Sequence, residues 1–384
     1  MIGLLQSCNS GPTGPWQENC RTVQNNPDEF TVLKRGNGSN LFTDLTLSSG
    51  TGHIHDLTDV DGPYDASNGG GVAIADFNLD GRLDIIVTGG REENGYYVNQ
   101  GQGTFLNCGS SAGLNPGDDW TNGVSIADID NDGDLDVLLL NYGPNRLLRN
   151  IGDGSFEDIT EDSQLSGDYR SAGASWADLD GDGLLDLLIS NLADEFLDTS
   201  LKGAPSELYR NLGNGRFEDV SEQVGNSGMR EGASYLAPLI DFDNDGLIDI
   251  LITQEFGYLL ERNQLYRNLG PGTGGNWLDW ENRTPESNIK YPFAVMGAAI
   301  MDLNQDQLPD LFMTNLLTDE PFREVLLMND NNFVFNDITD EYNANGLEID
   351  ADEGLYRTAS WGSIQFDYDN DGDEDLYTVY GIIT

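Results

Sequence analysis

One nine-residue pattern, D-x-D-x-D-G-x-x-D, sets the strongest limit on what this chain folds into. At Asp128 it reads "DIDNDGDLD", with carboxylates at positions 1, 3, 5 and 9 and an abrupt apolar run, "VLLL", behind it. Packed this closely, the carboxylates of Asp128, Asp130, Asp132 and Asp136 raise one another's pKa values unless a cation stands between them. Calcium takes six to eight oxygens, and loop positions 1, 3, 5 and 9 can converge on one ion, with a backbone carbonyl at position 7. Gly133, at position 6, permits the sharp turn. An EF-hand is excluded, because position 12 is Leu139 where a bidentate Glu is required. The flanks "GVSIAD" and "LDVLLLNY" are short and apolar or β-branched, which predicts a cation loop inside a β-hairpin.

The pattern occurs six times, with first aspartates 52, 50, 63, 61 and 65 residues apart. The candidate ligands are Asp76, Asn78, Asp80 and Asp84; Asp128, Asp130, Asp132 and Asp136; Asp178, Asp180, Asp182 and Asp186; Asp241, Asp243, Asp245 and Asp249; Asp302, Asn304, Asp306 and Asp310; and Asp367, Asp369, Asp371 and Asp375. Asn replaces Asp at position 3 of the first and fifth loops, and Gln307 replaces the Gly of the fifth. Those two sites hold three carboxylates instead of four and are expected to be weaker.

The rest of each unit repeats too. A strand ending in Asn follows the loop ("NGYYVN", "NRLLRN", "SELYRN", "NQLYRN", "EVLLMN"), then a Gly- or Asn-rich turn, then an aromatic strand such as "SFEDIT" or "RFEDVS". In the fourth unit the insertion "PGTGGN" lengthens that turn. Four strands, A to D, in about 50 residues, repeated six times, predict the blades of an all-β propeller, with the cation loop joining A to B. The segment "LFTDLT" at 41–46 is read as a D-type strand that completes the last blade, and the sixth unit stops after strand B.

These six loops with their β flanks resemble FG-GAP/VCBS repeats, the integrin α N-terminal-like propellers. "LYRNLGNGRFEDVSEQVG" and "FTDLT" look most like the bacterial ASPIC/UnbV-type, cartilage acidic protein-like family. The resemblance covers residues 41–384 and implies calcium, up to six ions, at the A–B loops. Family propellers usually have seven blades, so an incomplete last blade implies a piece of a longer protein.

The formal charge of −49, from 18 basic and 67 acidic side chains, argues against nucleic-acid phosphate as a partner. The candidate ligands account for 22 of the acids. One-loop calcium sites suit calcium-rich compartments, which places the chain outside the cytoplasm: extracellular, at the cell surface or periplasmic. No 18-residue apolar run spans a membrane. Residues 1–40 read as a tether, and "LLQSC" resembles a lipobox that would carry a lipid on Cys8; an ordinary linker cysteine is the other reading. Cys20 and Cys108 are then free to pair, a pairing that sequence leaves open.

Long insertions fall in the B–C and D–A connections: 53–70, 191–205, 254–263, 281–295, 316–325 and 340–360. Function concentrates in such loops. Tyr169, Arg170, Arg230, Tyr356 and Arg357 lie just before A strands and form a candidate ligand face; there the arginines either receive an anionic ligand or bridge neighbouring acids. His53 and His55 share one face of an extended segment but are read as a solvent-exposed loop. No nucleophile elbow, HExxH or phosphate-cradling loop is present. The leading function is recognition or adhesion toward a protein or glycan ligand. A polysaccharide lyase or hydrolase and a structural subunit of a surface assembly are the alternatives, and enzymatic activity stays an open question.

Overall fold

The computed structural model describes residues 46–53, 70–115, 117, 119–165, 167–192, 203–224, 229, 232–255, 260, 262–289, 291, 294–315, 324–342, 344, 357–367, 372 and 374–383. They form an all-β fold of successive antiparallel sheets. The first blade holds β1 (Val72–Ala75), β2 (Asp84–Val87), β3 (Gly95–Gly101) and β4 (Thr104–Asn107). The second holds β5 (Thr121–Ala127), β6 (Asp136–Pro144), β7 (Arg146–Asn150) and β8 (Phe156–Asp158). The third holds β9 (Asp168–Ala177), β10 (Asp186–Leu192), β11 (Glu207–Asn211) and β12 (Phe217–Asp219). The fourth runs from β13 (Leu239–Ile240) through β14 (Asp249–Ile252) and β15 (Gln264–Pro271) to β16 (Leu278–Asn282). The fifth runs from β17 (Ala298–Met301) through β18 (Asp310–Met313) and β19 (Val325–Asn329) to β20 (Phe335–Asp337). A sixth sheet pairs only β21 (Arg357–Phe366) with β22 (Asp375–Ile383). Two compact units divide the chain, Met1–Asp168 and Tyr169–Thr384.

Within each unit, neighbouring blades share cores, because the strand period of two sends alternate side chains to opposite faces. In β14, Leu251 packs with Leu311, Val325 and Phe335 of the fifth blade. Its neighbours Ile250 and Ile252 pack with Leu188 and Leu208 of the third. In β18 and β19, Leu311, Met313, Val325 and Leu327 face the fourth blade, whereas Phe312 and Leu326 share a core with Leu376 of the sixth sheet. Within the first unit, Phe77, Ile86 and Tyr96 pack with Val137, Leu148 and Phe156. Burial on both faces explains why the B strands read as unbroken apolar runs. Sheets whose cores lie between consecutive blades are the construction of a β-propeller.

The outer strands differ from expectation. "SFEDIT" is expected as one strand, but β8 stops at Asp158 and a four-residue helix, α2, occupies Thr160–Ser163, as short as α1 at Thr46–Ser49. The Asp158 carboxylate accepts the Thr160 N–H at 2.9 Å, and Thr160 Oγ1 accepts the Leu147 N–H at 3.0 Å. This turn chemistry ends the strand. Thr46 likewise opens α1 instead of closing a strand; residues 41–45, on which the closing strand rested, lie outside the described residues. No described helix is long and apolar enough to cross a membrane.

Candidate metal centre

The A–B loops are stitched by their own carboxylates. In the first five loops the position-1 aspartate takes the N–H of position 5 on one oxygen and that of position 6 on the other. For Asp128 these are Asp132 at 3.1 Å and Gly133 at 3.0 Å; for Asp241 they are Asp245 at 3.1 Å and Gly246 at 2.8 Å. Position 6 has a positive φ in all six loops, 94° at Gly133 and 72° at Gln307. The fifth loop therefore keeps the shared turn with a side chain that a left-handed backbone disfavours.

Position 9 is buried at the first residue of strand B: Asp84, Asp136, Asp186, Asp249 and Asp310 are at most 1% exposed. Asp136 accepts the Ile129 N–H at 3.0 Å on Oδ2 and the Asn150 N–H at 2.8 Å on Oδ1. Asp186, Asp249 and Asp310 repeat both bonds. Burial pushes the carboxyls of Asp84, Asp136, Asp186 and Asp249 up to about 7; backbone N–H groups oppose the rise and neighbouring loop aspartates add to it.

Three carboxylate trios converge, with one oxygen from each residue within 4.8 Å of the others: Asp128, Asp130 and Asp136; Asp178, Asp180 and Asp186; Asp241, Asp243 and Asp249. These are positions 1, 3 and 9. Position 5 stands apart from the trios, with Asp132 and Asp245 each accepting the position-7 N–H at 2.9 Å. Loops 1 and 5, with Asn78 and Asn304 at position 3, present no such carboxylate trio. Asp367 and Asp375 of the sixth loop are described, whereas Asp369 and Asp371 lie outside the described residues.

Whether these residues suit a cation is tested by two oxygens. Asp130 Oδ1 and Asp243 Oδ1 are buried and have no hydrogen-bond partner. A buried carboxylate oxygen without a donor is costly, and hard-cation coordination by oxygen removes that cost. The donor set, all oxygen with no His or Cys, is that of a hard-cation site.

Arginines also reach the loops, a feature the sequence reading missed. Arg267, one residue before Asn268 in β15, bridges Asp243 at 2.7 Å and Asp245 at 2.8 Å. Arg210 holds the same place in β11 and bridges Asp180 at 2.9 Å. The recurrent Arg-Asn ending of "LLRN" and "LYRN" was the available signal.

The candidate ligand face divides. Arg170 is only 6% exposed, and its charge acts on Glu255, whose carboxyl burial raises to about 8. Tyr169 is half-buried in β9. Arg230 and Tyr356 lie outside the described residues, as does the side chain of Arg357 at the start of β21. In the first unit, at the equivalent place before strand A, Trp120 stacks on Tyr142 at 5.1 Å, and Arg91 sits 4.6 Å over the Trp120 ring. His53 meets Tyr97 and the Thr88 carbonyl instead of lying free in solvent; His55 is outside the described residues. Cys108 is disulfide-bonded, and Cys8 and Cys20 lie outside the described residues.

The FG-GAP-like repeat family model matches residues 76–139, 128–189 and 241–313, which covers the first five loops. Cartilage acidic protein 1 of Mus musculus is 33% identical over 242 residues, 62% of this chain and 36% of the relative. The Homo sapiens protein is 26% identical over the same shares. The chain thus spans about a third of the length of these relatives. Among solved structures, an Agrocybe aegerita lectin that recognises non-reducing terminal N-acetylglucosamine aligns with a TM-score of 0.43 and 21% identity, covering 70% of this chain and 65% of the lectin. The Vibrio cholerae biofilm matrix protein Bap1 aligns with a TM-score of 0.37 and 14% identity, over 81% of this chain and 52% of that one. Loop geometry, blade cores and family match agree: the chain carries FG-GAP-like repeats across its first five loops.

Proposed function

We propose that the chain is an extracellular calcium-binding propeller whose cation loops stabilise a scaffold for recognition of a glycan or protein ligand. The observation that carries the calcium reading is the pair of buried, unpartnered oxygens Asp130 Oδ1 and Asp243 Oδ1 inside the carboxylate trios. Positions 1, 3 and 9 of loops 2, 3 and 4 would hold the ions. Calcium supplies the positive charge that lets all three carboxylates stay ionised. Because the position-9 carboxyls sit near 7 without a cation, binding displaces protons, and affinity weakens as pH falls through about 7. Calcium titrations at pH 8 and pH 6 check this; a pH-independent affinity would contradict it.

Recognition draws support from the Trp120–Tyr142 stack at the end of the second blade opposite its cation loop, where Tyr142 is 44% exposed. An exposed aromatic face beside Arg91 suits sugar rings or aromatic and acidic peptide side chains. A glycan array probed in millimolar calcium and in chelator, paired with a lyase and hydrolase assay, tests this reading. Calcium-dependent binding without cleavage, weakened in Trp120→Ala/Tyr142→Ala, is the expected result. Product formation, or binding indifferent to the double substitution, would overturn it.

A further inference from the structure

Resting on the calcium reading above, one further residue can be assigned to the third loop. The insertion in the β15–β16 hairpin, Pro271–Asn276, is legible in the sequence only as a lengthened turn. In the structure it is a folded feature. Strands β15 and β16 stay paired out to Pro271 and Leu278, and the Gly272 N–H closes on the Trp277 carbonyl at 2.9 Å. The Trp277 N–H donates to Gln223 of the third blade at 2.5 Å, which pins the hairpin to its neighbour. The Trp277 indole N–H then reaches Asp180 Oδ2 at 2.6 Å. Asp180 is position 3 of the third cation loop and a member of its trio. Arg210, from the blade that owns the loop, bridges the same Oδ2 at 2.9 Å and lies 5.6 Å over the Trp277 ring. The second oxygen, Asp180 Oδ1, accepts the Asp182 N–H at 3.1 Å.

We propose that Trp277 is a positioning residue for the third cation loop, supplied by the fourth blade, so that calcium binding by loop 3 and seating of that hairpin are coupled. Groups that hydrogen-bond a ligating carboxylate hold it in its binding rotamer, and losing such a partner typically costs 10–100-fold in metal affinity. The contrast lies in the corresponding residues. Asp130 and Asp243 each keep an oxygen without a partner, whereas both oxygens of Asp180 are held before any cation arrives. By reciprocity, calcium in loop 3 steadies the hairpin as much as the hairpin steadies the loop.

The indole N–H is a direct reporter. With the chain labelled with 15N-tryptophan, the Trp277 indole resonance is assigned by its absence from Trp277→Phe and followed during a calcium titration. The expected result is a shift of that resonance as calcium binds in the wild type, and no shift in Asp178→Asn, which removes a loop-3 ligand but keeps Trp277. Calorimetry of Trp277→Phe should show one class of sites weakened roughly tenfold or more while the others are unchanged. If calcium binds the wild type but the Trp277 resonance stays still, or Trp277→Phe leaves every binding constant intact, the assignment is overturned while the calcium reading stands. If no calcium binds at all, both fall.

Discussion

Calcium withdrawal is expected to lower the melting temperature sharply. A ligand present at a hundredfold excess over its Kd stabilises the native state by about 2.7 kcal/mol per site. The unit Tyr169–Thr384 holds two of the three carboxylate trios and Met1–Asp168 holds one. Two filled sites therefore contribute roughly 5 kcal/mol to the second unit. At about 2–4 °C per kcal/mol for a cooperative unit of this size, that corresponds to a fall of roughly 10–20 °C in chelator, and about half as much for the first unit. Magnesium is expected to restore little of it, because its tighter octahedral shell fits a calcium-sized oxygen site poorly. Differential scanning calorimetry in calcium, in chelator, and in chelator with excess magnesium gives the comparison. Superimposable traces would contradict the role assigned to the loops.

The second large effect is expected at Asn268, the last asparagine of its C strand. Its side-chain amide donates to the carbonyl of Ile248 in its own loop at 3.2 Å and to that of Leu179 in the preceding blade's loop at 3.0 Å. Its Oδ1 accepts the Gly270 N–H at 2.9 Å. Asn150 makes the corresponding cross-blade bond to Phe77, and Asn329 to Phe242, each at 2.8 Å. The acceptors Phe77, Leu179 and Phe242 occupy loop position 2, and their side chains are buried in the cores shared with the donors' blades. The asparagine is thus a latch between one blade and the cation loop of its neighbour. Asn268→Ala leaves two buried carbonyls and one amide without their partner, at about 1–3 kcal/mol for each unsatisfied buried group. A total loss of roughly 3 kcal/mol or more is expected in urea unfolding. Asn99→Ala is the comparison: Asn99 bonds the Leu83 carbonyl of its own loop at 2.9 Å, in a less buried setting, so a loss nearer 1 kcal/mol is expected. Equal losses would remove the latch from the account.

Much of this architecture was legible in the residues themselves. The loops, the A–B hairpins around them, and the asparagine ending each C strand follow from local pattern, because turn chemistry and strand period are local properties. What escaped the reading depends on contacts between distant residues. The asparagines were visible as strand endings, but Asn268 and its acceptor Leu179 are 89 residues apart. Arg170 was read as either receiving an anionic ligand or bridging neighbouring acids; it is buried, and its charge acts on Glu255, 85 positions on, which no periodicity announces. Trp277 stood in plain view after a glycine-rich insertion, yet only the paired hairpin shows that the insertion carries it to Asp180. Position 5 was counted as a ligand from spacing and from the family resemblance, neither of which shows what else its carboxylate holds. In the structure its carboxylate turns to the position-7 N–H, and in loops 1, 3 and 4 to an arginine as well.

The central claim is that the carboxylate trios are calcium sites, and counting bound ions tests it most directly. Equilibrium dialysis of the chelator-stripped, refilled chain against labelled calcium at pH 8 should find at least three ions bound per chain, from the trios at Asp128, Asp178 and Asp241. Half-saturation is expected at or below the roughly 10⁻⁴–10⁻³ M characteristic of extracellular calcium modules. Fewer than one ion per chain at millimolar free calcium would contradict the account.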